Sequence, residues 1–409
     1  MSRIDDLIAE HCPAGVPFKA LGEVGTLVRG SGLQKKDFVD TGFPCIHYGQ
    51  IYTFYGTSAT VTKSFIGPEL AARLKKAETG DLVITTTSEN IEDVCTAVAW
   101  LGEVPIAIGG HSCVFKHTLD PMYAAYYFQT EQFELQKRKF VSGTKVKDIK
   151  ISDIARVKIP VPPLAIQREI AAILDKMESL KAELEAELEL RSRQYAFYRN
   201  DLVAFGSSGS VEWLPMGHVG EFIRGRRFTK KDVVDRGLAC INFGEIYTHY
   251  GTFAHEVISH VRADLGPGLR FARRGDVVLT GVSETVEDIC KAVAWLGEGE
   301  VAVHDDCFIY RHNLNPKFVS YYLQTSGFND QKAKHVARAK VKRISAESLS
   351  SLLIPVPPAA EQERIVAVLD KFDALVNDLS YGLPAEIKAR QAQYEYYRDK
   401  LLTFEELAA

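Results

Sequence analysis

The chain repeats itself. Gly25 answers Gly220, an offset of 195 residues, and the same offset holds through Asp175 and Asp370. Gly49-Gln50-Ile51-Tyr52-Thr53 matches Gly244-Glu245-Ile246-Tyr247-Thr248. Ala97-Val98-Ala99-Trp100-Leu101-Gly102 matches Ala292-Val293-Ala294-Trp295-Leu296-Gly297, and Ile159-Pro160-Val161-Pro162-Pro163 matches Ile354-Pro355-Val356-Pro357-Pro358. A repeat of this length is a whole folding unit, not one element of a solenoid. The chain therefore presents two similar surfaces, which suits a target that itself has two halves.

Each copy has two parts. The first mixes short β-like runs with glycine turns. Leu82-Val83-Ile84-Thr85 and Val277-Val278-Leu279-Thr280 read as buried strands after a Gly-Asp turn. Asp120-Pro121 and Asn315-Pro316 read as helix starts, with a capping side chain followed by proline at the first helical position. Tyr123, Tyr126 and Tyr127, with Phe318, Tyr321 and Tyr322, fall at helical spacing and read as core.

The second part of each copy is a long helix of about 40 residues, about 60 Å at 1.5 Å per residue. Ile166, Ile170, Ile173, Met177, Leu180, Leu184 and Leu188 recur in steps of three and four. Ile365, Val368, Phe372, Leu375 and Leu379 do the same in the second copy. Gln194-Tyr195 matches Gln393-Tyr394 at an offset of 199, so the second helix carries four extra residues near Tyr381-Gly382-Leu383-Pro384. Gly and Pro there predict a kink.

The expected architecture is α+β: two pseudo-repeated α/β domains separated by two long antiparallel helices forming a coiled coil. The boundaries read as an N-terminal segment 1–16 packing near the C-terminus, domains at 17–158 and 211–353, a central helical region 159–210 and a C-terminal helical region 354–409. Composition excludes several classes. Hydrophobic content of 46% and charged content of 25% are those of a soluble globular protein. No apolar run approaches a membrane span, and residues 1–11 lack a signal-peptide layout. Seven cysteines without a Cys-x-x-Cys pair suggest neither a disulfide framework nor a zinc knuckle. A cytoplasmic location is expected. The net charge of −4 argues against a polycationic DNA coat but leaves local basic patches open.

The proline tracts lead into Gln167-Arg168-Glu169-Ile170 and Gln362-Glu363-Arg364-Ile365, then Leu174-Asp175-Lys176 and Leu369-Asp370-Lys371. The helices close with Tyr195-Ala196-Phe197-Tyr198-Arg199 and Tyr394-Glu395-Tyr396-Tyr397-Arg398. Over essentially its whole length the chain resembles the specificity (S) subunits of type I restriction–modification enzymes. Its first copy departs from the family's Glu-Gln after the proline tract, carrying Ile166-Gln167 instead. The resemblance implies a non-catalytic subunit that binds double-stranded DNA. Its two target recognition domains would each read one half of an asymmetric, interrupted site. The helices would set the spacer and hold two methyltransferase (M) subunits, through which restriction (R) subunits join. The chain itself would hold no cofactor, with S-adenosylmethionine, ATP and Mg supplied by partners.

The residues agree that chemistry is absent. Asp120-Pro121-Met122-Tyr123 and Asn315-Pro316-Lys317-Phe318 approach the Asp/Asn-Pro-Pro-Tyr/Phe loop of an adenine methyltransferase but lack its second proline. No phosphate loop appears, and His111-Ser112-Cys113 and His304-Asp305-Asp306-Cys307 do not match in spacing as a shared metal site requires. A self-contained methyltransferase and a type IIB-like specificity subunit are the alternative readings.

DNA reading needs phosphate clamps and polar groups at base edges. The candidate clamps are Arg29, Lys35 and Lys36, with Arg224, Arg226, Arg227, Lys230 and Lys231. A second basic cluster runs Lys137-Arg138-Lys139, then Ser142, Gly143, Thr144, Lys145 and Lys147. Its partner holds Lys332, Lys334, His335, Arg338, Lys340, Lys342 and Arg343. For both groups the alternative is a solvated charged surface. Discrimination is expected where the copies differ: Thr86, Thr87, Ser88 and Asn90 against Ser283 and Thr285, His47 against Asn242, and Gln50 against Glu245. Asn and Gln can bond bidentately to adenine, and Ser or Thr to several bases.

Overall fold

The computed structural model describes residues 3–205, 211–336 and 340–407. The chain divides into two compact units, Met1–Glu183 with Lys388–Ala409, and Leu184–Ile387. Each holds two five-stranded sheets of mixed direction. In the first unit one sheet orders Gly25–Arg29, Ser112–His117, Leu82–Thr85, Ala97–Trp100 and Ser58–Ala59. The other orders Phe38–Val39, Ser64–Ile66, Phe43–Ile46, Ile106–Ile108 and Lys76–Ala77. The second unit repeats both orders, with Val277–Thr280 as its central strand.

The apolar run Leu82–Thr85 is buried on both faces because each face meets a different layer. Leu82 and Ile84 pack with Phe115, Tyr123 and Phe133. Val83 points the other way, with Val98, Trp100 and Val114. Helix Pro121–Tyr127 begins as the sequence requires: the Asp120 carboxylate accepts the Met122 and Tyr123 N–H groups, both at 3.1 Å. Tyr123, Tyr126 and Tyr127 are fully buried. Their hydroxyls donate to Pro160 O (2.9 Å), to the Asp175 carboxylate (2.6 Å) and to Lys158 O (2.6 Å). The spacing that marks them as core also ties the domain to its proline tract and helix.

Gln167 has the same role. Its side chain accepts the Asp120 N–H at 2.8 Å and donates to Pro162 O at 2.7 Å. Gln362 repeats this on Asn315 and Pro357. The glutamine is the invariant half of the two copies' motif, so Ile166 in place of Glu361 leaves the link intact; Ile166 is buried in the core.

The first long helix spans Leu164–Ala204. The second is two helices, Ala359–Asn377 and Leu383–Leu401, so the predicted kink is a full break. Asp378 caps the gap by accepting the Ser380 and Tyr381 N–H groups. A β-carbon on Gly382 would lie 2.5 Å from Ala374 O and 2.7 Å from Asp378 O, so only glycine fits there.

Helix ends are exchanged between copies. Tyr394, from the second copy, packs in the first unit, its hydroxyl donating to Gln129 Oε1 (3.0 Å) and Glu178 Oε1 (3.3 Å). Tyr195, from the first copy, packs in the second unit and donates to Asp373 Oδ1 at 2.9 Å. In the first unit Ile4 and Leu402 share one core, and Val16 bonds to Glu405 and Leu407.

Candidate nucleic-acid interface

Three segments distant in sequence meet at one surface of each unit, and backbone bonds join them. In the first unit the turn Gly109–His111 links two strands. Its His111 O accepts the Thr86 N–H at 2.9 Å, and Ser112 O accepts the Gly30 N–H at 2.9 Å. Arg29 Nε donates to Gly110 O at 3.4 Å. The strand Lys147–Asp148 pairs antiparallel with Thr87–Ser88. The second unit makes the same frame: Gly281 N–H to Asp306 O at 2.7 Å, Gly225 N–H to Cys307 O at 2.9 Å, Arg224 Nε to Asp305 O at 2.8 Å, and Val282–Ser283 against Lys342–Arg343.

Gly30 and Gly225 allow this junction. A β-carbon would meet Gly109 O at 2.1 Å in the first case and His304 O at 2.1 Å in the second. Gly225→Ala must push the turn away. It is expected to lower the stability of its unit by about 1–3 kcal/mol, the usual effect of overpacking. Urea unfolding beside the parent chain measures it, and an unchanged midpoint would contradict the geometry.

The side chains on the frame differ. In the first unit His111 Nδ1 lies 3.0 Å from Thr87 Oγ1. The His111 ring is 4.8 Å from that of Tyr48, which is 4.6 Å from that of His47. Burial, with the nearby charges of Lys35 and His111, holds the His47 imidazole below its ordinary pKa. In the second unit the equivalents of His47, Tyr48, Thr87, Gly110 and His111 are Asn242, Phe243, Val282, Asp305 and Asp306. Two clefts, of about 470 and 540 Å³, adjoin this turn. Arg224, Asp305, Asp306 and Arg343 line both, and Arg227 and Lys230 line the smaller.

The sequence candidates divide by environment. Arg29, Lys35, Lys36, Arg224, Arg226, Arg227, Lys230 and Lys231 are exposed, as phosphate contact requires. Two of them, Arg29 and Arg224, also brace the turn. Thr144, Lys145 and Lys340 are exposed, and Lys342 lies in a strand. Ser142 bonds to Asp148 through its backbone, and Gly143 takes φ +98° where a β-carbon would meet Val146 O at 2.0 Å. Arg338 lies outside the described residues.

Several candidate base readers are committed to the protein itself. His47 accepts the Gly49 N–H at 3.2 Å as a helix cap, and Gln50 bonds to His47 N–H and Ser64 Oγ. Asn242 is not among them: its backbone N–H donates to Glu245, its side chain makes no cap bond, and it lines the smaller cleft. Asn90 and Thr285 close turns by accepting the Asp93 and Asp288 N–H groups. Thr86, Thr87 and Ser283 are buried, Ser88 half-buried. Thr86 Oγ1 has no partner among the described residues.

Lys137 and Lys332 need correction. They are 1% and 2% exposed and donate to main-chain carbonyls, so neither is available to a phosphate. Sequence reasoning passed over Tyr48 and weighed His111, Asp305 and Asp306 only as parts of a shared metal site; His304, Asp305 and Asp306 do bring their ligand atoms within 4.8 Å of one another. The signal was present: these positions differ between otherwise matching copies.

The family model for the type I restriction modification DNA specificity domain matches residues 13–190 and 292–389, more than half of the chain. The chain belongs to this family. The matched stretches include both proline tracts, Ile159–Pro163 and Ile354–Pro358. It is 35% identical over 276 residues to a type I restriction enzyme specificity subunit of Escherichia coli, covering 62% of this chain and 65% of that one. It is 28% identical over 277 residues to a Haemophilus influenzae protein named for the same type of subunit, covering 65% and 68%. The chain thus spans slightly less than two thirds of the E. coli relative's length. A solved chain from work on the complex assembly and conformational transition of the type I system has the same fold, with TM-score 0.65 over 95% of this chain and 98% of that one, at 18% identity.

Proposed function

We propose that this specificity-family member is the DNA-reading subunit of a type I restriction–modification complex. Each unit reads one half of an asymmetric, bipartite site in double-stranded DNA. The helices set the spacer and dock two methyltransferase subunits, through which restriction subunits join. The observation that carries this is the braced turn, present twice on the same backbone frame with different side chains on it. A duplicated platform with unequal readers suits a target with two unequal halves.

The exposed cations beside each turn supply the sequence-independent share of binding, which weakens steeply with salt. The side chains at the turn supply the selective share, about 1–3 kcal/mol per correctly read base. No methyl or phosphoryl transfer is assigned to this chain. The near-motifs at Asp120 and Asn315 are helix caps on buried helices, with their acceptors already occupied by N–H groups. S-adenosylmethionine, ATP and Mg belong to the partner subunits in this reading, and the complex works in the cytoplasm. Among the described residues no helix is long and apolar enough to cross a membrane.

The test is co-expression of the full chain with its neighbouring methyltransferase gene, followed by sequencing of methylated adenines across the host genome. A motif of two short, unequal blocks separated by unread bases is expected. A continuous motif, or methylation unchanged by the chain, would overturn the proposal.

A further inference from the structure

Resting on that reading, we infer that the last residue of the braced turn, His111 in one unit and Asp306 in the other, is the position that makes the two half-sites unequal. Asp306 selects a base that carries its exocyclic amino group on the major-groove edge, adenine or cytosine.

The backbone that carries this residue is the same twice. Its carbonyl accepts the N–H of residue 86 or 281, and the preceding carbonyl accepts the arginine Nε. A fixed frame with exchanged side chains isolates chemistry from geometry. In the first unit His111 is exposed and tethered through Nδ1 to Thr87. With the Thr87 hydroxyl donating, Nε2 presents an N–H, which matches the N7 and O6 acceptors of guanine.

In the second unit Val282 replaces Thr87 and tethers nothing. The Asp305 and Asp306 side chains are each 33% exposed. Their nearest cationic candidate, His304 Nδ1, lies 3.3 and 3.8 Å away but already accepts the Asp306 N–H at 3.2 Å. Among the described residues neither carboxylate is paired with an Arg or Lys. Both nonetheless stand between two clefts lined by Arg224 and Arg343, with Arg227 and Lys230 beyond. Cations so placed draw a phosphate backbone close, and a carboxylate there repels it. The repulsion is offset only where the carboxylate meets a donor. On the major-groove edges of duplex DNA the donors are the N4 amino group of cytosine and the N6 amino group of adenine. The acidic tip therefore rejects guanine and thymine, which present only acceptors there.

The space beneath the two tips is adjusted to match. Gly281 stands where the first unit has Thr86, and a β-carbon on it would lie 2.5 Å from the Phe308 ring. The first unit has Cys113 in place of Phe308. The larger ring beneath the acidic tip and the missing side chain above it are two parts of one exchange. Substitutions confined to the tip residue, exposed at His111 and half-buried at Asp306, leave both parts of that exchange in place.

The test uses the full chain with its methyltransferase subunits. Asp306→His, Asp306→Asn and the reciprocal His111→Asp are each assembled, and the methylated motif of each is sequenced. Binding is then measured to duplexes in which purine replaces one adenine, or 2-pyrimidinone replaces one cytosine, of the second half-site. The parent complex is expected to lose affinity roughly ten- to hundredfold at one such position. Asp306→His should abolish that loss and change the motif at that base alone. Asp306→Asn, whose amide oxygen still accepts, should retain part of the preference. His111→Asp should add a preference for an amino-bearing base in the first half. The untouched half in each molecule reports correct folding. An unchanged motif in Asp306→His, or a loss equal at every base, would overturn the inference while leaving DNA reading intact. A parent complex without a bipartite motif would remove the reading beneath it, and the inference with it.

Discussion

Lys137→Met is expected to lower the stability of the first unit by about 3 kcal/mol, the cost of leaving two buried carbonyls and a carboxylate without their donor. Lys137 Nζ donates to Glu92 O (2.9 Å), Val94 O (2.8 Å) and the Glu134 carboxylate. These carbonyls belong to the turn that ends at Cys95, a buried residue in the left-handed region at φ 65°. A side chain bearing a β-carbon there costs of order 1 kcal/mol or more, so the turn needs to be held. Lys332 holds the equivalent turn at Cys290 through Glu287 O (2.8 Å) and Ile289 O (2.5 Å). Its unit has Asn329 where the first has Glu134, and burial holds its ammonium below the ordinary lysine pKa. Lys332→Met removes a poorly compensated charge together with its bonds, so its loss should be the smaller of the two. Equilibrium urea unfolding of both variants gives the comparison. Losses under 0.5 kcal/mol in both, the usual scale for surface sites, would show that these lysines hold nothing.

The same two residues show where sequence is a poor guide. Lys137-Arg138-Lys139 looks like a solvated basic run, and the other two residues are indeed exposed. Lys137, however, lies four residues after Phe133, on the same helix face, and Phe133 is fully buried. Lys332 follows Phe328 in the same way. Helical phase outweighs charge because main-chain carbonyls wait inside. Phase was legible for the tyrosines after Asp120-Pro121, since spacing, cap and hydrophobicity agree there. The two-copy architecture was equally plain, because each copy carries its own strands, cap and proline tract.

The reading surface was legible only in part. Its exposed arginines and lysines stand out by composition. Its frame does not, because hydrogen bonds between residues 30 and 112, 86 and 111, and 86 and 149 leave no periodic trace. Asn90, Thr285 and Gln50 have the right chemistry to read bases, but local N–H groups and hydroxyls claim them first. Short polar side chains near turns commonly make such bonds. The internal difference between copies is the better filter, provided it is applied to residues that the fold leaves outward.

Acidification from pH 6.5 to 5 should remove about 2 kcal/mol from each unit, through His117 in the first and His312 in the second. Burial lowers both imidazoles to about 4, from an ordinary value near 6.5. Each ring lies against an aromatic neighbour, His117 at 4.8 Å from Phe115 and His312 at 4.8 Å from Tyr310. His312 Nδ1 accepts the Leu314 N–H at 3.2 Å, which a proton on that nitrogen would break. Because the folded pKa is depressed for a base, the unfolded chain binds protons first as pH falls. Stability is therefore complete above pH 6.5 and is lost progressively toward pH 4. His47, depressed by burial and by Lys35 and His111, acts in the same direction. Most carboxylates titrate below about pH 5, so the upper part of the window isolates the histidines. Urea midpoints at pH 7, 6 and 5 measure the slope, and His117→Leu with His312→Leu should flatten most of it. Equal midpoints at pH 7 and 5 in the parent chain would mean that both rings gain protons without opening their pockets.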